Sequence, residues 1–362
     1  MMTSSKQKVL CALSGGVDSS VAAVLLLDAG YSVTGVTLRL VARKPVPEGA
    51  VEKAERTVEE AALLCRQLSI EHRVLDFSDR INKDVIRPFL ECYQRGETPN
   101  PCVVCNRTVK FGALLDYARD EGFDFLATGH YAGIESRNGA PCLVRGRDPV
   151  KDQSYFLYGL SRSSLSHILF PLHDRDKKSV RALAAVRGLP ASNHRESHDI
   201  CFIPDRDLPR FIRERTSAAL PGPILDRNGR LLGHHPGILF YTVGQRSGLG
   251  ISHPEPLYVL EIDATKNTIV VGDRPFLRAH GLVAGNCNWL LDPPFPRNLT
   301  VKIRYAAAFA PCRLEIQGNE ARMLFDTHLE AVTPGQSAVL YDGNTVVGGG
   351  IIRSALSFED VK

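Results

Sequence analysis

The sequence predicts an α/β domain built on a parallel sheet, followed by a small β-rich domain and a C-terminal β-barrel. Three observations carry this. Strand-like and helix-like segments alternate through the first third of the chain, which is the pattern of crossover units on a parallel sheet. The alternation breaks after Gly129. From about Leu220 onward helical periodicity is almost gone, and short apolar runs are separated by turn pairs such as Asn228-Gly229, Pro236-Gly237, Pro334-Gly335 and Asp342-Gly343. Short strands between Pro and Gly turns are the signature of barrels and sandwiches.

The elements follow in order. Residues 9–13 form a short apolar run ending in a Gly turn, and residues 17–28 have a helical face closed by Asp28-Ala29-Gly30. Residues 31–40 alternate as a strand. Residues 52–68 read as an amphipathic helix, 72–77 as a strand, 79–93 as a helix, 107–120 as a helix beginning near Arg107, and 123–128 as a strand. Residues 131–136 and 142–147, joined by Asn138-Gly139, read as a β-hairpin. Helices are expected at 153–160 and 177–187. The expected boundaries are 1–215 for the α/β domain, 216–278 for the small β-rich domain and 279–362 for the barrel.

Composition limits the function classes. The 362 residues are 44% hydrophobic, enough to bury a substantial core. A net charge of +4 permits nucleic-acid binding without demanding it. No apolar run is long enough to span a bilayer, so no membrane association is expected. Residues 9–13 are cut by Ser14-Gly15-Gly16 and Asp18, which reads as a strand and turn and not as an export signal. Nine cysteines, an odd number spread through the chain, fit a reducing cytoplasm, where a close cysteine pair is metal-binding or catalytic more often than structural.

Ser14-Gly15-Gly16-Val17-Asp18-Ser19-Ser20 is the first functional motif. Glycines between a buried strand and a helix let the backbone turn tightly and aim N–H groups at phosphate oxygens, and the helix N-terminus adds partial positive charge. Ser19 and Ser20 can bond phosphate, and the Asp18 carboxylate can hold Mg²⁺. The Gly-Lys-Ser/Thr ending of the Walker loop is missing, as is the dinucleotide fingerprint. A plain turn capping a helix would not require strand, Gly pair, acid and two serines together. The motif resembles that of the PP-loop ATP pyrophosphatases. These split ATP to AMP and pyrophosphate and place AMP on a substrate oxygen. Amide synthesis, tRNA sulfur insertion and lysidine formation all remain open on the loop alone.

Thr98-Pro99-Asn100-Pro101-Cys102-Val103-Val104-Cys105-Asn106 is the second motif. Two prolines precede a Cys-x-x-Cys, and a thiol at a helix N-terminus is expected to ionise more readily. The third is His198-Asp199-Ile200-Cys201-Phe202-Ile203, with Glu196 upstream, an expensive neighbourhood to bury unless it is used.

With these motifs the chain resembles, over essentially its whole length, the tRNA-specific 2-thiouridylases. The likeness rests also on Thr128-Gly129-His130-Tyr131, on residues 151–157 (Lys-Asp-Gln-Ser-Tyr-Phe-Leu), on Gly244-Gln245-Arg246 with Gly248-Leu249-Gly250, on Arg304-Tyr305 and on Pro334-Gly335-Gln336. The resemblance implies an adenine nucleotide alpha-hydrolase-like, Rossmann-like first domain and ATP-dependent 2-thiolation of the wobble uridine of tRNA. It implies ATP binding, with Mg²⁺, by Ala12, Leu13, Ser14, Gly15, Gly16, Val17, Asp18, Ser19, Leu38 and Gly129. Cys105 would be the nucleophile and Cys201 the persulfide carrier, with Asn100, Pro101 and Cys102 against the target base. His130, Lys151, Asp152, Gln153, Arg304, Tyr305 and Gln336 would contact tRNA.

In many members of that family the position of Cys102 is Asp. Here three thiols, Cys102, Cys105 and Cys201, could hold a [4Fe–4S] cluster with one iron open to sulfide. A Cys105–Cys201 persulfide relay is the competing route, and zinc held by the same thiols with His198 is a further one. The sulfur would come from a persulfide or sulfide donor such as a cysteine desulfurase relay. The alternative enzyme reading is a PP-loop ligase or sulfur transferase acting on a small molecule. A tRNA-binding module without catalysis would need no reactive thiols.

Overall fold

Val9, Leu10 and Cys11 are fully buried, because their strand lies at the centre of a sheet covered on both faces. This computed structural model describes residues 6–40, 49–190, 200–203 and 207–361. The strand, β1 (Lys8–Ala12), pairs in parallel with β2 (Ser32–Arg39) on one side and with β4 (Phe125–Ala127) on the other. β3 (His72–Asp76) extends the sheet beyond β2, and β7 (Ile168–Leu169) extends it beyond β4. The order β3-β2-β1-β4-β7 is all parallel and reverses direction between β1 and β4. Open sheets bind ligands at such a reversal, in the crevice beyond the carboxyl ends of the strands.

α1 (Val17–Asp28) and α2 (Ala50–Leu68) share one core with β1: Val9, Cys11, Val21, Val24, Ala61 and Leu64 pack together there. The helix expected at 79–93 is present, with a π-helical stretch inside it. It runs as α3 (Ser78–Ile81), a π turn at Asn82–Ile86 and α4 (Arg87–Gln94). Pro88 accounts for the irregular register, since it lacks the N–H needed to continue the ladder and its ring crowds the preceding turn. The helix expected from Arg107 starts earlier, as α5 (Pro101–Cys105). It passes through a π-helical stretch at Asn106–Ala113 and ends as α6 (Leu114–Asp120). The hairpin is present as β5 (Ala132–Arg137) and β6 (Ala140–Arg145). The helix expected at 153–160 shrinks to one 3₁₀ turn at Ser154–Phe156, whereas α7 (Lys177–Val186) forms as expected and closes the core with Val180 and Ala184.

Two compact units partition the chain. The first takes Met1–Val85, Cys102–Pro204 and Asn344–Val346, and the second takes Ile86–Pro101, Asp205–Gly343 and Val347–Lys362. In the second unit, α8 (Leu208–Arg213) sets Phe211 edge-on to Phe89 of α4 at 6.3 Å. β8 (Gly222–Leu225), β9 (Leu231–His235), β10 (Tyr258–Asp263) and β11 (Thr268–Gly272) form a four-stranded sheet in the order β10-β11-β8-β9. The remaining strands are β12 (Arg278–Trp289), β13 (Leu299–Lys302), β14 (Ala310–Gln317), β15 (Glu320–Glu330), β16 (Ser337–Asp342) and β17 (Thr345–Leu356). They run β12-β15-β14-β13-β16-β17, and β17 pairs back onto β12 to close a six-stranded barrel. Its interior is filled by Leu282, Val301, Met323, Leu340, Val347 and Ile352.

Candidate active site

Ala12, Leu13, Ser14, Gly15, Gly16, Val17, Asp18 and Ser19 run from the end of β1 into α1, at the reversal of the sheet. Leu13 N–H donates to Val36 O at 2.8 Å, so the loop leaves still attached to β2, the strand that carries Leu38. Gly15 has φ of 70°, and a Cβ there would lie 2.7 Å from Glu60 Oε2. Ser19 Oγ ties the loop together: it accepts from Ser14 N–H at 3.2 Å and donates to Gly16 O at 3.1 Å. Gly129 follows β4 and lies against the start of α1, where a Cβ would meet Ser19 N at 2.7 Å and the Asp18 carbonyl carbon at 2.8 Å. Only glycine lets the two backbones approach this closely.

Both oxygens of Asp18 are taken. Lys177 Nζ donates at 2.7 and 2.8 Å, and the Tyr131 hydroxyl donates to Oδ1 at 2.8 Å. The carboxylate expected to meet Mg²⁺ is thus neutralised by a lysine. Neither Lys177 nor Tyr131 is among the expected site residues, although Tyr131 closes the Thr128-Gly129-His130-Tyr131 motif.

Cys105 is buried, while Cys102 and Cys201 reach the surface, and all nine cysteines are free thiols. Cys201 is in a turn closed by Ile203 N–H donating to Ile200 O at 2.9 Å, with Phe202 and Ile203 buried beneath it. His198, Asp199 and Glu196 lie outside the described residues.

Desolvation raises the pKa of all three thiols, and the Lys110 ammonium pulls each back down. Cys102, Cys105 and Cys201 also oppose one another's ionisation around the circle, Cys105 acting on Cys102, Cys201 on Cys105 and Cys102 on Cys201. One cation therefore faces three mutually interacting thiols. The lowered thiol pKa expected from a helix N-terminus is not found, because burial outweighs it. Lys110 is five residues after Cys105 in the π-helical stretch, a spacing that no 3.6-residue pattern would mark. Among the described residues no three His, Cys, Asp or Glu side chains form a group able to hold a metal ion. His198, the fourth ligand of the zinc reading, lies outside those residues.

Residues 7–205 match the tRNA methyl transferase HUP domain, 209–273 the tRNA methyl transferase PRC-barrel domain and 279–352 the aminomethyltransferase beta-barrel domain. The chain is 47% identical to the tRNA-specific 2-thiouridylase MnmA 1 of Syntrophus aciditrophicus, across 98% of this chain and 94% of that one. It is 44% identical to the tRNA-specific 2-thiouridylase MnmA of Moorella thermoacetica, across 95% and 99%. The chain belongs to the tRNA-specific 2-thiouridylase family.

The positions expected from this family to face tRNA have different surroundings. His130 packs against Phe111 and Phe170, and its Nδ1 lies 2.7 Å from Thr128 Oγ1. Burial and then Lys110 hold its pKa well below the usual histidine value, so it is neutral. Lys151 is half-buried, its N–H held by Asp148. Asp152 is 2% exposed; it accepts from Arg145 Nε at 3.0 Å and from the N–H groups of Gly146 and Ser154 at 3.2 and 3.1 Å. Gln153 Oε1 accepts from Tyr131 N–H at 3.0 Å, and Gln153 N–H donates to Tyr131 O at 2.8 Å.

In the second unit, Arg304 is exposed on the turn after β13. Tyr305 follows it with its ring 5.4 Å from Lys302 Nζ. Gln336 Nε2 donates to Thr98 O at 3.0 Å and to Pro99 O at 3.3 Å, and Thr98 N–H donates to Pro334 O at 2.8 Å. The Pro334-Gly335-Gln336 turn therefore clamps the segment that leads through Asn100 and buried Pro101 into Cys102.

Proposed function

We propose that this chain is an ATP-dependent tRNA-uridine 2-sulfurtransferase that thiolates the wobble uridine. The observation that carries the reading is the grouping of Cys102, Cys105 and Cys201 around Lys110, in the same unit whose sheet reversal bears the Gly15-Gly16 loop. The 2-thiouridylase names of the relatives support it, and tRNA is the partner they imply. Uracil O2 is a poor leaving group, so it is adenylated first. O2 bonds to the α-phosphorus of ATP, and pyrophosphate departs with the electron pair of the broken bond. The backbone of Ser14, Gly15 and Gly16 and the N-terminus of α1 supply the oxyanion contacts.

The terminal sulfur of a Cys201 persulfide, supplied by a persulfide donor, then attacks C2 and AMP leaves. The Cys105 thiolate attacks Cys201 Sγ. That breaks the S–S bond to the uridine sulfur, frees 2-thiouridine and leaves a Cys105–Cys201 disulfide for an external thiol to reduce. Lys110 stabilises the thiolates at both steps. Asn100, Pro101 and Cys102 meet the base, with Lys151, Arg304 and Tyr305 on the tRNA. Reduction of the disulfide needs a thiol reductant, which a cytoplasmic setting for the proposed reaction would supply. Among the described residues no helix is long and apolar enough to cross a membrane.

A [4Fe–4S] cluster on Cys102, Cys105 and Cys201 is the competing sulfur carrier, but the persulfide relay requires no metal-holding geometry and is favoured. The test is an iron-free preparation given a persulfide donor, ATP and substrate tRNA. Wild-type protein yields 2-thiouridine with AMP and pyrophosphate, and Cys105→Ser yields no 2-thiouridine. ADP as the product, or thiolation only after iron is restored, overturns the corresponding part.

A further inference from the structure

We propose that Lys177 is a phosphate-binding residue that exchanges Asp18 for the β- and γ-phosphates of ATP when the nucleotide enters. The inference rests on the reading of the Gly15-Gly16 loop as the ATP site. In the described structure the ammonium lies 2.7 and 2.8 Å from the two oxygens of Asp18, in the first turn of α1. The Lys177 side chain is 12% exposed, whereas that of Asp18 is 34% exposed, so the cation sits behind a carboxylate that faces solvent.

Lys177 is also the first residue of α7, where the helix macrodipole disfavours a cation. Its place is not explained by capping, because Asp176 already caps α7 by accepting from Ser179 N–H at 2.6 Å. Asp148 Oδ2 accepts the Lys177 backbone N–H at 3.0 Å and fixes the start of the helix. Tyr131 completes the arrangement. Its hydroxyl meets the same Asp18 oxygen that Lys177 meets, and its backbone is held on both sides by Gln153. The ammonium is thus aimed at the phosphate cradle from a rigid support.

The charge logic decides the direction of exchange. A triphosphate brings several negative charges to a loop that already carries Asp18, and Coulomb repulsion at such separations is large wherever water is excluded. With Lys177 present the carboxylate is neutralised before ATP arrives. The phosphates, more highly charged than one carboxylate, then compete for the same ammonium. During adenylation uracil O2 bonds to the α-phosphorus while the bond to the α,β-bridging oxygen breaks. The electron pair leaves on pyrophosphate, and Lys177 meets that growing charge.

Calorimetric titration of ATP, AMP and inorganic pyrophosphate into wild type, Lys177→Met and Lys177→Gln, without tRNA, tests this. Loss of one charge-assisted contact predicts ATP and pyrophosphate binding weaker by about 10- to 100-fold in both variants. AMP has no β- or γ-phosphate and should stay within about twofold, which also reports that the loop is intact. Thermal melts identify a variant that fails to fold, and the other then carries the same expectation. Equal weakening of AMP and ATP, unchanged ATP binding, or tighter ATP binding would each overturn the proposal while leaving the ATP site standing. Failure of the wild-type chain to bind ATP would overturn both.

Discussion

At the scale of single residues, desolvation raises the pKa of three thiols and one cation opposes it. Cys201 reaches the surface, yet desolvation by the packed chain around it pushes its pKa up and Lys110 pulls it down. The sign of the pH dependence follows. Only the thiolate reacts, and a raised pKa leaves less of it at neutral pH, so alkylation of exposed Cys201 should climb with pH beyond the range of an ordinary thiol. Removing the opposing cation in Lys110→Met should move that profile to still higher pH. Mass spectrometry of iodoacetamide adducts against pH measures both; an unmoved profile would show that Lys110 does not govern the thiol. Asp152 belongs to a different class. Its carboxylate is buried on Arg145 and two backbone N–H groups, so Asp152→Ala should cost about 3 kcal/mol of stability by stranding those donors. Chemical denaturation tests this, and a fall in tRNA affinity without loss of stability would instead make it a direct contact.

At the scale of elements, the parts that followed regular periods were legible. The buried run of β1, the hairpin turn at Asn138-Gly139 and the face of α7 were all readable because each is a local pattern. The two π-helical stretches were not, since they change the spacing of neighbours along the helix without changing composition. Lys110 was missed for that reason. The two-residue β7 was missed because it is too short to show a pattern. Gly129 was legible as a site residue only through the family motif, and its physical reason is the backbone of Asp18 and Ser19. Gly129→Ala should push β4 and α1 apart, lowering the melting temperature and costing about 1–3 kcal/mol. ATP affinity, measured by calorimetry, should fall with it.

The clamp on residues 98–99 makes a second case. Gln336 was expected on tRNA, yet its amide N–H₂ spans two carbonyl oxygens of the segment ahead of Cys102. Gln336→Glu replaces that donor with an acceptor and sets charge against both carbonyls. Thiolation should drop by about tenfold or more, as expected when a reacting group is misplaced, while ATP affinity holds. Equal loss of ATP binding would mean that the substitution damages the fold more widely.

At the scale of the whole molecule, the sheet, the small β domain and the barrel were all foreseeable from composition and turns, but the path of the chain between the units was not. Residues 86–101 lie early in the sequence and still belong with the later β structure. Phe89 and Tyr93 are buried, Gly96 lies against Ile262, Thr98 Oγ1 donates to Thr242 Oγ1 at 3.0 Å, and Gln336 holds Thr98 and Pro99. These partners are distant in sequence, which is why no local pattern revealed them. A fragment of residues 1–215 therefore keeps the parallel sheet and Gly loop, but strips residues 94–101 of the partners at 242, 262, 334 and 336. It should bind ATP with near wild-type affinity and yet form no 2-thiouridine from a persulfide donor. Trypsin should cut it after Arg95, where intact protein resists. A fragment that thiolates tRNA would show that the segment ahead of Cys102 orders itself without the β structure.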